Sequence, residues 1–168
     1  MDEQEQQFLN MLDQFRPVIN KVCFMYATND EPLGDLYQEV VLQLWKAFPR
    51  FRAESKMSTW VYRIAMNTCV SNLRHRNVRP QTSSLRLPHG GEPFSRLLYD
   101  DDDEQEQENL RELYRLIGEL GKLERAIILL WLDEKSYEEI AEILNLSASN
   151  VGVRINRIKA KLKTMSNN

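Results

Sequence analysis

Ser136-Tyr-Glu-Glu-Ile-Ala-Glu-Ile-Leu144, then Asn145-Leu-Ser147, then Ala148-Ser-Asn-Val-Gly-Val-Arg-Ile-Asn-Arg-Ile-Lys-Ala-Lys-Leu-Lys163 reads as two short helices around a tight turn. Ser136 can cap the first, with Glu139 at the capping-box position, and Ser147 can cap a second helix running through Leu162. On that second helix Val151, Ile155, Ile158 and Leu162 recur at helical spacing and form one apolar stripe. The opposite face carries Asn150, Arg154, Arg157 and Lys161. From Asn145 onward there are five Lys or Arg and no Asp or Glu. A short basic helix braced across a three-residue turn by an acidic one is the pattern of a helix-turn-helix. Its cations can neutralise phosphates, and its Asn and Arg can donate to base edges in a major groove. A simpler account stands beside this one. The macrodipole favours cations in a last helical turn, so Lys159, Lys161 and Lys163 need no ligand to explain them.

At 168 residues the chain can hold one medium domain or two small ones. Its apolar fraction of 42% is ordinary for a globular protein. Cys23 and Cys69 fall on apolar helical patterns and read as buried free thiols of a reducing compartment, not a disulfide framework. Neither has a histidine near it to complete a zinc site. No apolar run reaches membrane-spanning length, and Met1-Asp-Glu-Gln-Glu is unlike a signal peptide. A cytoplasmic protein without membrane insertion is expected.

A net charge of −3 looks wrong for a DNA binder until it is resolved along the chain. Residues 46–80 carry eight Lys or Arg against one Glu, and residues 120–168 carry eight against six acids. Between them, residues 81–119 carry four against ten. Distribution outweighs the total, because a surface field decays over about 8 Å at physiological salt.

Val78 to Pro93 is rich in turn-forming residues and poor in periodic apolar ones, so residues 78–103 read as a linker. Its end, Asp100 to Asp103, lacks the spaced ligands and glycine of a calcium loop and suits a solvated, helix-starting acidic segment. Shielding of the basic faces by this run when DNA is absent is a further reading. Upstream, Phe8, Leu12, Phe15, Ile19, Val22 and Tyr26 trace a helix that Pro17 must kink or split. A second helix, about Leu33 to Phe48, turns Leu36, Val40, Val41, Leu44 and Phe48 inward and Asp35, Gln38, Glu39 and Gln43 outward. A third, about Met57 to Arg76, has Trp60, Val61, Ile64, Ala65, Thr68 and Cys69 on its core side. Arg63, Asn67, Ser71 and Arg74 make a polar stripe on its other side. No alternating strand pattern is visible. The expected fold is all-α, two helical domains (8–77 and 104–165) joined by a flexible linker.

These residues resemble the compact, extracytoplasmic-function group of bacterial RNA polymerase sigma factors. The resemblance runs through Asp35-Leu-Tyr-Gln-Glu-Val-Val-Leu-Gln-Leu-Trp45, Phe51-Arg52 and Thr59-Trp-Val-Tyr-Arg-Ile-Ala-Met-Asn67. It resumes at Glu124-Arg125 and at Ser136 to Leu144. It implies that residues 8–77 form a sigma region 2 and residues 104–165 a sigma region 4. Asp35, Gln38, Glu39, Leu42, Gln43 and Trp45 would dock on core RNA polymerase. Arg52, Ser55, Lys56, Arg63, Asn67, Ser71, Arg74 and Arg76 would bind and open the −10 promoter element, as single-stranded DNA. Extruding a base costs a few kcal/mol, so a pocket must hold it, and the loop Ala53 to Ser58 supplies small polar groups. Trp60 could stack on a base, but its place on the apolar stripe favours the core. Arg125, Ser149, Asn150, Val153, Arg154, Asn156, Arg157 and Lys161 would bind the −35 element as duplex. A partner anti-sigma factor is implied too.

Two departures from the family pattern stand out. Gly152 replaces the usual Lys or Arg after Val151, which removes a long donor and costs about 1 kcal/mol of helix propensity. Gly121-Lys122 replaces a common proline pair. A stand-alone helix-turn-helix regulator would explain residues 136–162 equally well, but not the acidic face of the second helix. An interaction protein that kept polymerase docking and lost promoter reading is a third possibility. Catalysis is not expected. His75 and His89 have no nucleophile or paired carboxylate at readable spacing, and neither a small-molecule substrate nor any cofactor or metal is implied.

Overall fold

The computed structural model describes residues 1–76 and 104–168, with side chains placed over 1–71 and 104–168. Among these, every regular element is helical: α1 (Glu3–Tyr26), α2 (Leu33–Ala47), a 3₁₀ turn (Phe48–Arg50), α3 (Met57–Arg76), α4 (Glu104–Gly118), α5 (Lys122–Leu132), α6 (Tyr137–Leu144) and α7 (Ala148–Ser166). The chain divides after residue 80 into two compact units, each with its own core. The linker assigned to 78–103, with Asp100 to Asp103 and His89, lies outside the described residues.

In the first unit α1, α2 and α3 pack on one another. Helix α1 begins five residues before the expected domain edge, and the Asp2 amide donates to Glu5 Oε2 at 3.1 Å, closing its first turn. Pro17 does not split it. The ring sits on the exposed side, so the bond its missing N–H forfeits leaves a carbonyl that water can satisfy. Buried Phe8, Ile19, Val22 and Tyr26 hold the two halves against α2 and α3. From α2, Leu36, Val40 and Leu44 are wholly buried at i, i+4, i+8. Each such side chain contributes about 1.5–3 kcal/mol. On α3 the buried set is Val61, Ala65, Thr68 and Cys69 as expected, together with Thr59, Tyr62 and Met66, while Trp60 and Ile64 are half-buried. That stripe is wide because α3 meets both other helices. Thr68 tolerates burial by donating its hydroxyl to the Ile64 carbonyl at 2.7 Å.

Cys23 on α1 and Cys69 on α3 are both fully buried free thiols. A hydrogen bond with Cys23, and burial, push the Cys69 thiol well above its ordinary value. Burial keeps reagents from both sulfurs, so neither cysteine should react with a thiol–disulfide exchange reagent at about pH 8 in the native chain. Both should react once denaturant is added. Prompt native labelling would mean that the packing of α1 on α3 opens readily.

In the second unit α4, α5 and α6 surround α7. Ile127, Leu130, Ile140, Val151 and Ile155 have no exposed surface. Among the described residues, no helix is long and apolar enough to cross a membrane, and no group of three or more His, Cys, Asp or Glu side chains could hold a metal ion.

Candidate nucleic-acid interface

The turn between α6 and α7 is built by three local devices. Ser136 Oγ accepts the Glu139 amide at 3.1 Å, which caps α6. Asn145 takes the left-handed conformation (φ 56°), and the Leu146 amide returns to the Ala141 carbonyl at 2.9 Å. Asparagine tolerates that region better than other residues with a Cβ, so it ends α6. Ser147 Oγ then accepts the Asn150 amide at 3.2 Å and starts α7. Ile140 and Ile143 lock this turn onto Val151, Ile155 and Ile158, all buried.

That packing turns Ser149, Asn150, Val153, Asn156 and Arg157 outward, with Val153 half exposed at 50%. Arg154 is partly covered, and its Nε donates to Asn150 Oδ1 at 2.6 Å. The pair therefore presents itself as a pre-arranged unit, with the other guanidinium nitrogens left to donate elsewhere. Lys161 is exposed but reaches Glu124 Oε2 on α5 at 3.0 Å. Lys159 lies 3.9 Å from the centre of the Trp131 ring. Two of the cations on α7 are thus engaged with α5.

Arg125, expected at the −35 duplex, is turned inward in the free chain. It is 8% exposed, and its Nη2 donates to the carbonyls of Gly118 at 3.0 Å and Leu120 at 3.1 Å. The end of α4 leaves carbonyls without helical partners, and a guanidinium held there satisfies them from within. Gly152 also faces elsewhere than expected. A Cβ built on it would meet Tyr137 Cε2 at 3.2 Å and Cδ2 at 3.5 Å, so the position opens onto α6. Nothing in the sequence but a glycine in mid-helix marked that approach.

In the first unit Asp35, Gln38, Leu42 and Trp45 form an exposed row on α2, with Leu42 at 44% and Trp45 at 38%. Glu39 and Gln43 are half-buried along its edge, where Gln43 Nε2 donates to Glu39 Oε1 at 2.7 Å. Trp45 stands edge-on to Phe8 at 4.9 Å, and Phe8 to Phe48 at 5.4 Å. Trp60 continues this group, 6.3 Å from Phe48 and 5.1 Å from Phe51. It is half-buried among aromatic rings, so it anchors the base of the 51–56 loop. Within that loop Arg52, Ala53, Glu54 and Lys56 are exposed and Ser55 is half-buried. Ala53 has φ 56°, a left-handed conformation that costs an alanine about 1–2 kcal/mol. Along α3, Asn67 and Ser71 are exposed and Arg63 is half-buried. The backbone of Arg74 and Arg76 continues α3, and their side chains lie outside the described residues.

Residues 11–79 match sigma-70 region 2, and residues 110–162 match sigma-70 region 4. The ECF RNA polymerase sigma-E factor of Escherichia coli K12 is 33% identical over 74% of this chain and 69% of its own length. The ECF RNA polymerase sigma factor SigG of Mycobacterium tuberculosis is 28% identical over 98% of this chain, which spans about half (50%) of that protein's length. Two solved structures share the fold at 18% identity over 97% of this chain. One is CnrH in complex with the cytosolic domain of CnrY, with a TM-score of 0.66 over 89% of CnrH. The other is the sigma factor RpoE in complex with the anti-sigma factor NepR from Bartonella quintana, with a TM-score of 0.67 over 96% of RpoE. With both sigma regions in order on two helical units, and a relative a third identical over most of its length, the chain belongs to the extracytoplasmic-function sigma factors of the sigma-70 family.

Proposed function

We propose that this chain joins core RNA polymerase, places it on promoters through −10 and −35 elements, and helps melt the start region. One observation carries the choice of a polymerase partner over a stand-alone regulator: the exposed row Asp35, Gln38, Leu42, Trp45 on α2. The Asp35 carboxylate, with Glu39 half-buried beside it, repels phosphate, while Leu42 and Trp45 exposed alongside suit a protein surface of opposite charge. Such a face has no use in a regulator that meets only DNA.

The division of work follows from the two units. Asp35, Gln38, Glu39, Leu42, Gln43 and Trp45 dock on polymerase. The 51–56 loop and the α3 stripe hold unpaired −10 bases, with Arg52, Lys56 and Arg63 for phosphates and Ser55, Asn67 and Ser71 for base edges. Helix α7 enters the −35 major groove with Ser149, Asn150, Val153, Arg154, Asn156 and Arg157. RNA synthesis itself belongs to the polymerase, so this chain acts without catalysis, in the cytoplasm. An anti-sigma protein is a natural regulator, since the similar CnrH and RpoE folds were solved with bound partners.

The direct test is competition for core polymerase against the housekeeping initiation factor. Tight binding to core alone supports the reading. Binding to duplex DNA with no affinity for core would overturn it in favour of a simple regulator. Salt dependence tests the duplex face separately. Replacing Arg154 or Arg157 by Ala should lower the salt slope of promoter binding by about 1 for each phosphate no longer neutralised. Lys161→Ala should lower it less, because Glu124 already neutralises that ammonium. Unchanged slopes for both arginines would place the DNA-binding face elsewhere.

A further inference from the structure

Tyr137 is the first residue of α6 and remains 40% exposed although it packs on another helix. Its ring lies against the backbone of Gly152, where a side chain would stand 3.2 Å from Cε2. No group among the described residues hydrogen-bonds its hydroxyl. In a helix-turn-helix the first helix crosses the phosphate backbone while the second enters the groove. By helical spacing, Gly152 neighbours Ser149 and Asn156 on α7, and both are exposed. Tyr137 therefore borders the face that would enter DNA, on the helix that would cross the backbone.

We infer that Tyr137 binds the duplex, its phenol donating to a backbone phosphate oxygen, and that Gly152 is the notch that positions it. The inference rests on the duplex-binding reading of α6 and α7. It accounts for a glycine that is costly in mid-helix, because any side chain at 152 would contest the space of the ring. It also fits the acidic neighbours. The carboxylates of Glu138 and Glu139 would neutralise a lysine at 137, whereas a phenol is a neutral donor whose ring carries it beyond the helix surface. Such a phosphate contact strengthens binding uniformly across sequences and reads no base.

The test uses the full chain and a fluorescent duplex of random sequence, with affinity followed over a salt series. Tyr137→Phe keeps the packing and removes the donor. It should weaken binding about tenfold, the low end for a hydrogen bond to a charged acceptor, with the salt slope unchanged. Gly152→Ala should weaken binding several-fold by displacing the ring. It should do so without lowering the melting temperature, since alanine improves the helix. In the Tyr137→Phe background Gly152→Ala should add little, a coupling that a double-mutant cycle reads directly. Wild-type affinity in Tyr137→Phe, alongside a loss of affinity and slope in Arg154→Ala/Arg157→Ala, would overturn the inference and leave the duplex reading intact. A binding loss in Tyr137→Phe that tracked a lower melting temperature would assign the tyrosine to packing, and would overturn it too. If the double arginine variant also bound like wild type, the duplex reading itself would fall.

Discussion

Ile155→Ala is expected to unfold the second unit while leaving the first one standing. Ile155 has no exposed surface, and it joins Val151 and Ile158 in the stripe that holds α7 against α6. Truncating such a side chain costs about 2–5 kcal/mol, from lost transfer energy and the cavity left behind. A whole domain is stable by only about 5–15 kcal/mol, and a unit this small sits at the lower end. For a domain of this size each kcal/mol moves the melting temperature by about 4–8 °C, so the α4–α7 transition should fall by roughly 10–30 °C. Calorimetry should show two transitions, of which one moves. Duplex binding should be lost at assay temperature and core-polymerase binding retained, because α1–α3 has a separate core. If both transitions moved together, the units would be one cooperative body and the division of labour proposed above would need rebuilding.

What the sequence disclosed divides along a physical line. Local rules were legible: α2 ends one residue before the expected Phe48 and α3 spans Met57–Arg76 as read. Both serine caps form, because a cap depends on residues three positions apart. The stripes Leu36–Val40–Leu44 and Val151–Ile155–Ile158 are buried as their periodicity required. Features that depend on distant residues were not legible. Lys161 and Glu124 are 37 residues apart, so their ion pair is invisible to any helical spacing argument. The resemblance implies a DNA contact for Arg125, and nothing beside it in the sequence announces the bonds it makes to the Gly118 and Leu120 carbonyls. Gly152 read as a missing donor because its partner, Tyr137, lies across the turn. Pro17 does not divide α1, because tertiary packing on both sides of a proline can hold one helix together where propensity alone would end it.

Reversing Asp35 and Glu39 together to Lys should weaken binding to core polymerase by about a hundredfold or more. Coupling energies of close charge pairs across an interface run from about 1.5 kcal/mol upward, and like charges brought face to face add repulsion. The reversal acts on more than the interface, and the structure says where. Asp35 lies in the first turn of α2, at the positive end of the helix dipole, so a lysine there costs about 0.3–1 kcal/mol of stability. Glu39 accepts a hydrogen bond from Gln43, which an ammonium, having no acceptor, could not keep. A modest fall in melting temperature is therefore expected alongside the loss of binding. Asp35→Asn with Glu39→Gln separates the two effects. It removes both charges without placing a cation at the helix start. Binding should then fall by about tenfold to thirtyfold with melting almost unchanged, in line with the loss of attraction without new repulsion. Trp45→Ala offers an independent reading of the same face, because exposed aromatics at the centre of an interface commonly contribute about 2 kcal/mol or more. Its packing on Phe8 makes some destabilisation unavoidable, so its binding must be compared at a temperature where both proteins are folded. If the double reversal bound core as tightly as the parent chain, the acidic row on α2 would be a solvated helix face. A polymerase partner would then rest on family membership alone.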